Sequence, residues 1–389
     1  MIIDAHVHYT PPALRDDLDE FVREEPFWGL LLAPGPDGQS LQGWATAERM
    51  IADMDAAGVD KVVMMGEYRR SHEACVARND QTLEIMRRWP DRVIGFAVVQ
   101  PKAGRAALDE LARCVDAGMK GVGELGSYGQ GYRLDDPDFL KLAEACIRHD
   151  VAINLHTNEE VGRFYPGKAT TPLVHYYELA VRLPELKLIL AHWGGGLLFY
   201  ELMPAVRKAL ANVWYDTAAS PLIFPTARIF NAALACVAAK KILFASDYPL
   251  RIYPSRQPEP DMRLFLSEFD ELGLDAATRS AIAGDNAAAL LGLAPGAAAG
   301  PLSARRRFEI GPPGGAKEGA WPVHADQSVS VTAHAFPQTQ AVFEAHCISW
   351  RDEPVPYWEP IRQAAAVRGY GPEQLQRLLK ELNEAAADF

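Results

Sequence analysis

The chain has 389 residues, 49% of them hydrophobic and 23% charged, with a formal net charge of −12. This is the composition of a globular protein with a large buried core, not of a disordered or fibrous chain. The acidic excess argues against nucleic acid, whose phosphates need clustered Lys and Arg, and no apolar run is long enough to span a bilayer.

The N-terminus, Met1-Ile2-Ile3-Asp4, runs straight into a strand pattern without the basic and apolar regions of a signal peptide, so a cytoplasmic location is expected. Eight short, β-branched runs follow in chain order, at 1–8, 61–68, 93–100, 120–126, 152–157, 187–193, 213–219 and 241–249. Helical patterns alternate with them. Thr46 caps a run that stops near Gly58, and further helices are expected at 106–117, 137–149, 172–183, 200–211, 225–238, 264–272 and 276–293. Near-continuous apolar strands such as 93–99 are buried on both faces, as crossover helices require. The reading is α/β, a (β/α)8 TIM barrel over residues 1–293.

Such a barrel takes about 250 residues, so an appended module is expected. Residues 294–322 are rich in Ala, Gly and Pro, with Arg305, Arg306 and Arg307 as a solvated charge run, and read as a linker. Residues 323–389 read as a small helical domain with helices at 338–346, 360–367 and 372–386. About seventy residues make a marginal core, so this piece is expected to dock on the barrel or on another subunit of a homo-oligomer. Cys75, Cys114, Cys146, Cys236 and Cys347 show no CxxC spacing and read as reduced, apolar filler.

The chemistry gathers at strand ends. Side chains two apart on a strand share a face, so His6 and His8 can share one ion. His156, His192 and Asp247 each end another apolar run, and in a barrel these ends converge on one mouth. Glu124 ends the fourth strand at the same mouth, as a hydrogen-bond acceptor or a further ligand. His72 and His175 are kept as substrate-contact candidates. Arg69 and Arg70 offer guanidinium groups for a substrate carboxylate. Trp193, Tyr248 and Arg251, with Tyr9, Trp28, Tyr165 and Lys168, fall on loops at the same end, and the long first loop, 10–42, is expected to act as a partial lid.

His6-Val7-His8, His192-Trp193-Gly194-Gly195-Gly196, Ser246-Asp247-Tyr248-Pro249 and Gly284-Asp285-Asn286-Ala287 together resemble the amidohydrolase-related family, over residues 1–293. That family includes aminocarboxymuconate semialdehyde decarboxylase with its hydrolase and hydratase relatives. The resemblance implies that His6, His8, His156 and Asp247 bind a divalent ion, Zn2+ or alternatively Mn2+. It also implies that His192 faces the metal's water as general acid/base, with Asp247 alternating between ligand and base. Gly121-Val122-Gly123-Glu124-Leu125-Gly126 is similar to a segment of the metal-dependent deoxyribonucleases, which offers Glu124 as a bridging ligand or, with His156 and His192, as a ligand for a second ion, and leaves the count at one or two.

Because the decarboxylase branch generally lacks this glutamate, the leading expectation is hydrolysis of a small, carboxylate-bearing molecule. Non-oxidative decarboxylation and hydration of an unsaturated acid are the alternatives, and a non-enzymatic scaffold is a distant fourth. The C-terminal piece, through Phe336-Pro337-Gln338-Thr339 and His346-Cys347-Ile348, resembles the small helical domain of bacterial iron-sulfur repair proteins. Trp350-Arg351-Asp352 stands where their double cysteine would be, so a docking role is expected in place of a redox one.

Overall fold

A computed structural model describes residues 1–32, 40–162, 168, 171–293, 323–325, 327, 329–348, 350 and 360–387. The expected linker at 294–322 with Arg305, Arg306 and Arg307 lies outside the described residues, as do Tyr165, Arg351 and Asp352. The chain divides into two compact units, Met1–Ala298 and Ala299–Phe389.

In the first unit eight strands form one sheet in sequential order: β1 (Ile3–Val7), β2 (Lys61–Met64), β3 (Val93–Ala97), β4 (Gly121–Leu125), β5 (Ala152–Leu155), β6 (Leu188–Leu190), β7 (Val213–Asp216) and β8 (Ile242–Leu243). Every neighbouring pair is parallel. The ends meet as well: Ala5 N donates to Phe244 O (2.8 Å), Asp247 N to His6 O (3.0 Å) and His8 N to Tyr248 O (2.6 Å). This is the expected TIM barrel, with helices around it.

The helices start and stop where the residues dictate. Thr46 Oγ1 accepts from Arg49 N at the start of Ala47–Ala57, and Gly58 ends that helix at φ 72°. The expected helix at 200–211 is divided into a 3-10 stretch, Leu197–Leu202, and Pro204–Ala209, because Pro204 sets a new first turn. Helices that went unread include His72–Arg88, capped by Ser71, and Val329–Ala335. The 10–42 loop holds three short helices, Pro12–Asp16, Leu18–Glu24 and Pro26–Leu32.

Gly284-Asp285-Asn286, one of the motifs behind the family resemblance, seals the barrel away from the mouth. A Cβ on Gly284 would sit 2.5 Å from Met1 O, and Asn286 Nδ2 donates to Ala239 O and Ile242 O, both at 2.8 Å. Among the described residues no helix is long and apolar enough to cross a membrane.

The second unit has its own core, in which Val329, Phe343, Ile361, Leu378 and Leu382 are fully buried. Here His346 links two helices, accepting from Tyr370 Oη at Nδ1 (2.9 Å) and donating from Nε2 to Glu381 Oε2 (2.7 Å). All five cysteines are free thiols, and four are buried as expected; Cys347 is exposed.

Candidate functional site

His6 and His8 leave β1 on one face, ring centroids 5.0 Å apart, with their Nε2 atoms 3.1 Å apart. Glu124 reaches them from β4, where the ladder to β5 slips between Val122 and Leu125. That irregularity turns the carboxylate to the barrel axis, as bulges beside active sites do. Gly123 makes it possible: its φ is 139°, and a Cβ there would meet Asn154 O at 2.7 Å and Asn154 Cβ at 2.8 Å. Gly123→Ala is therefore expected to destabilise the fold by roughly 2–4 kcal/mol from overpacking and backbone strain. Thermal unfolding checks this; an unchanged midpoint would refute it.

The two Glu124 oxygens face different ways. Oε2 lies 3.8 Å from His6 Nε2, while Oε1 lies 2.8 Å from His156 Nδ1 and 3.4 Å from His192 Nε2. His192 Nε2 is in turn 3.2 Å from His156 Nδ1. The donor atoms thus fall into two groups, His6-His8-Glu124 and Glu124-His156-His192, each with atoms within 4.8 Å of one another. Asp247, at φ 66°, stands at the rim: Oδ1 is 3.6 Å from His8 Nε2 and 3.9 Å from His6 Nε2, and Oδ2 is 3.9 Å from His192 Nδ1. It is 13% exposed, against 5% for Glu124.

Behind the cluster lies a carboxylate that sequence reading passed over. Asp216, the last residue of β7 and fully buried, accepts from His6 Nδ1 (3.0 Å), Asn154 Nδ2 (3.0 Å), His192 N (3.0 Å) and Ala218 N (3.1 Å). Its signal was present, an acidic residue closing the run Val213-Trp214-Tyr215, like Asp247 and Glu124 on their own strands.

Electrostatically the mouth demands positive charge. Burial pushes the His6 imidazole down, but Asp216, Glu124 and Asp247 outweigh it and raise it to about 10. His192 likewise is raised to about 9, burial being overcome by Glu124, Asp247 and Asp216. Glu124 is held well below the ordinary carboxylate range because His156 and His6 overcome its burial. His8 goes the other way, lowered by burial and by His6.

A divalent cation fits this donor set on chemistry alone. His192 Nδ1 faces the Ala218 carbonyl at 3.0 Å, which only accepts, so Nε2 is the nitrogen turned inward, able to bind an ion once it gives up its proton. His8 Nδ1 is buried with no hydrogen-bond partner, leaving its inward nitrogen as the one engaged.

The sequence-derived substrate residues are placed less uniformly. Trp193 is buried in the wall, its indole N–H donating to Ser220 Oγ (2.8 Å) and its ring edge-on to Phe230. Tyr248 Oη donates to Asp53 Oδ2 (2.7 Å). Arg251 ties loop carbonyls of Gln257, Ser40 and Pro254 together. Arg70 is exposed. Arg69 is buried, 3.7 Å from Glu67 Oε2 and over the Phe21 ring at 4.6 Å, with Nη1 unpartnered.

An eight-stranded parallel barrel with imidazoles and carboxylates at its C-terminal mouth defines a class of metal-dependent enzymes. Residues 3–293 match the amidohydrolase family, and the chain belongs to it. Over 269 aligned positions, 60% of this chain and 71% of the relative, it is 24% identical to 2-amino-3-carboxymuconate-6-semialdehyde decarboxylase of Dictyostelium discoideum. It is 26% identical over 244 positions to the γ-resorcylate decarboxylase of Rhizobium sp. (strain MTP-10005), covering 52% of this chain and 72% of that one.

Among solved structures, 5-carboxyvanillate decarboxylase of Sphingomonas paucimobilis is similar with a TM-score of 0.60 and 16% identity, over 75% of this chain and 98% of that one. The Novosphingobium aromaticivorans counterpart, solved with manganese and 4-hydroxy-3-methoxy-5-nitrobenzoic acid, gives 0.60 and 18% over 75% and 96%. These low identities speak to the fold.

Proposed function

We propose that this protein is a metal-dependent, non-oxidative decarboxylase of a small aromatic or unsaturated carboxylate. The observation that carries the reading is the activity named for both curated relatives, each of which aligns with more than half of this chain. From the sequence, Glu124 weighs toward hydrolysis; the relatives weigh more, because they bear on the reaction and the glutamate bears on the ion.

His6 and His8 with Glu124, and Asp247 beside them, would hold the ion, zinc or manganese. Manganese in a solved relative supports a divalent cation. When bound, that ion supplies a Lewis acid which orients the oxygens of the substrate.

The remaining work falls to the chain. Asp247, the rim carboxylate, carries the proton for the carbon that loses carbon dioxide. As the C–C bond breaks, its electron pair stays on that carbon and takes up this proton. His192, whose Nε2 opens on the same mouth 3.4 Å from Glu124 Oε1, is the imidazole that resupplies that proton. Arg69, whose Nη1 is unpartnered, is the guanidinium best suited to a second substrate oxygen.

The test is a panel of hydroxybenzoates and unsaturated amino-carboxylates, assayed in 18O-labelled water with carbon dioxide trapped. Stoichiometric carbon dioxide and an unlabelled organic product are expected. A product carrying 18O, with no carbon dioxide, would return the enzyme to hydrolysis.

A further inference from the structure

We infer that Asp216 is the positioning residue that sets the tautomers of both His6 and His192, and so directs two Nε2 lone pairs into the mouth. Four donors surround its carboxylate. Three of them, Asn154 Nδ2, His192 N and Ala218 N, are N–H groups that only donate. A carboxylate that accepts on every side leaves His6 Nδ1, 3.0 Å from Oδ2, to donate too. In its neutral, ion-binding form His6 therefore carries its proton on Nδ1 and its lone pair on Nε2, the atom that lies 3.1 Å from His8 and 3.8 Å from Glu124.

The other oxygen governs His192. Oδ1 accepts the His192 backbone N–H, fixing a residue at φ 57°, a conformation that L side chains rarely adopt. It also accepts from Ala218 N, and the carbonyl of the same Ala218 takes the His192 Nδ1 proton at 3.0 Å. One buried carboxylate thus orients His6 directly and His192 through a single residue. Carboxylate partners of this kind tune metal-ligating imidazoles in general. What this chain adds is that one group serves both clusters, reaching β1, β5 and the turn after β6 at once.

Asp216→Asn is the informative change, because it keeps size and shape but cannot accept on both sides. If its N–H2 faces the Oδ2 position, it opposes Asn154 and forces the His6 proton onto Nε2. If it faces the Oδ1 position, it opposes two backbone N–H groups. Asn154→Ser serves as the comparison, since it removes one donor and leaves the carboxylate.

The inference rests on the mouth holding a cation, and is independent of which reaction follows. The full-length protein is titrated with Mn2+ and Zn2+ by calorimetry, and the histidine tautomers of the Zn2+-loaded protein are read by 15N NMR. Asp216→Asn is expected to weaken metal binding about 10- to 100-fold and to move either the His6 proton to Nε2 or the His192 backbone amide signal, while Asn154→Ser weakens it less than about threefold. Wild-type affinity and tautomers in Asp216→Asn would overturn the inference, as would an equal loss in Asn154→Ser, which would mark a packing role. Neither readout uses substrate, so a failure to release carbon dioxide sinks the decarboxylase reading alone.

Discussion

Removing divalent cations by dialysis against a chelator is expected to lower carbon dioxide release by at least about 10³-fold, and Mn2+ or Zn2+ to restore it. An ion that polarises and orients substrate oxygens contributes several kcal/mol to the transition state, and about 4 kcal/mol is three orders of magnitude in rate. The structure explains the demand. Glu124, Asp216 and Asp247 place three carboxylates around the mouth, and they are strong enough to raise two buried imidazoles far above their ordinary range. Full turnover by protein shown to be metal-free would remove the metal from the reading. The same preparation counts ions: because Glu124 presents one oxygen to His6 and the other to His156 and His192, two equivalents per chain would assign it a bridging role. One equivalent that Glu124→Gln still retains would leave it a hydrogen-bond partner.

The barrel was legible because the apolar strand pattern repeats eight times, with a helical pattern read after seven of the eight strands, and each repeat checks the others. The convergence of His6, His8, His156, His192 and Asp247 followed from strand ends alone. What the sequence could not give is which atoms face which. It offered His156 both with His6, His8 and Asp247 and, for a second ion, with Glu124 and His192; the structure gathers the second set within 4.8 Å and joins Glu124 to His6 and His8 as well. Strand six was read through residue 193, yet it ends at Leu190, since His192 and Trp193 turn into the left-handed region at φ 57° and 60°. That turn sends the Trp193 ring into the wall instead of the mouth, and no local propensity announces it. Asp216 was missed for a related reason: three of its four partners, His6, Asn154 and His192, come from distant places in the chain, and a carboxylate buried by such long-range contacts looks in sequence like any acidic residue ending a strand.

Asp247→Asn is expected to reduce kcat by about 10²- to 10⁴-fold, the range over which a positioned acid contributes, with KM changed far less. Position 247 tolerates the replacement, because its φ of 66° is one that Asn adopts as readily as Asp. The amide keeps the shape of the side chain at the rim and loses the proton that the carboxyl delivers. Metal content, measured on the same samples, divides the two roles that the sequence gave this residue. Lost turnover with the ion retained assigns Asp247 to proton delivery; lost turnover with the ion gone makes it a ligand first. Turnover within tenfold of the parent would remove Asp247 from the chemistry and pass the proton to His192, whose Nε2 already faces the cavity from 3.4 Å beyond Glu124 Oε1.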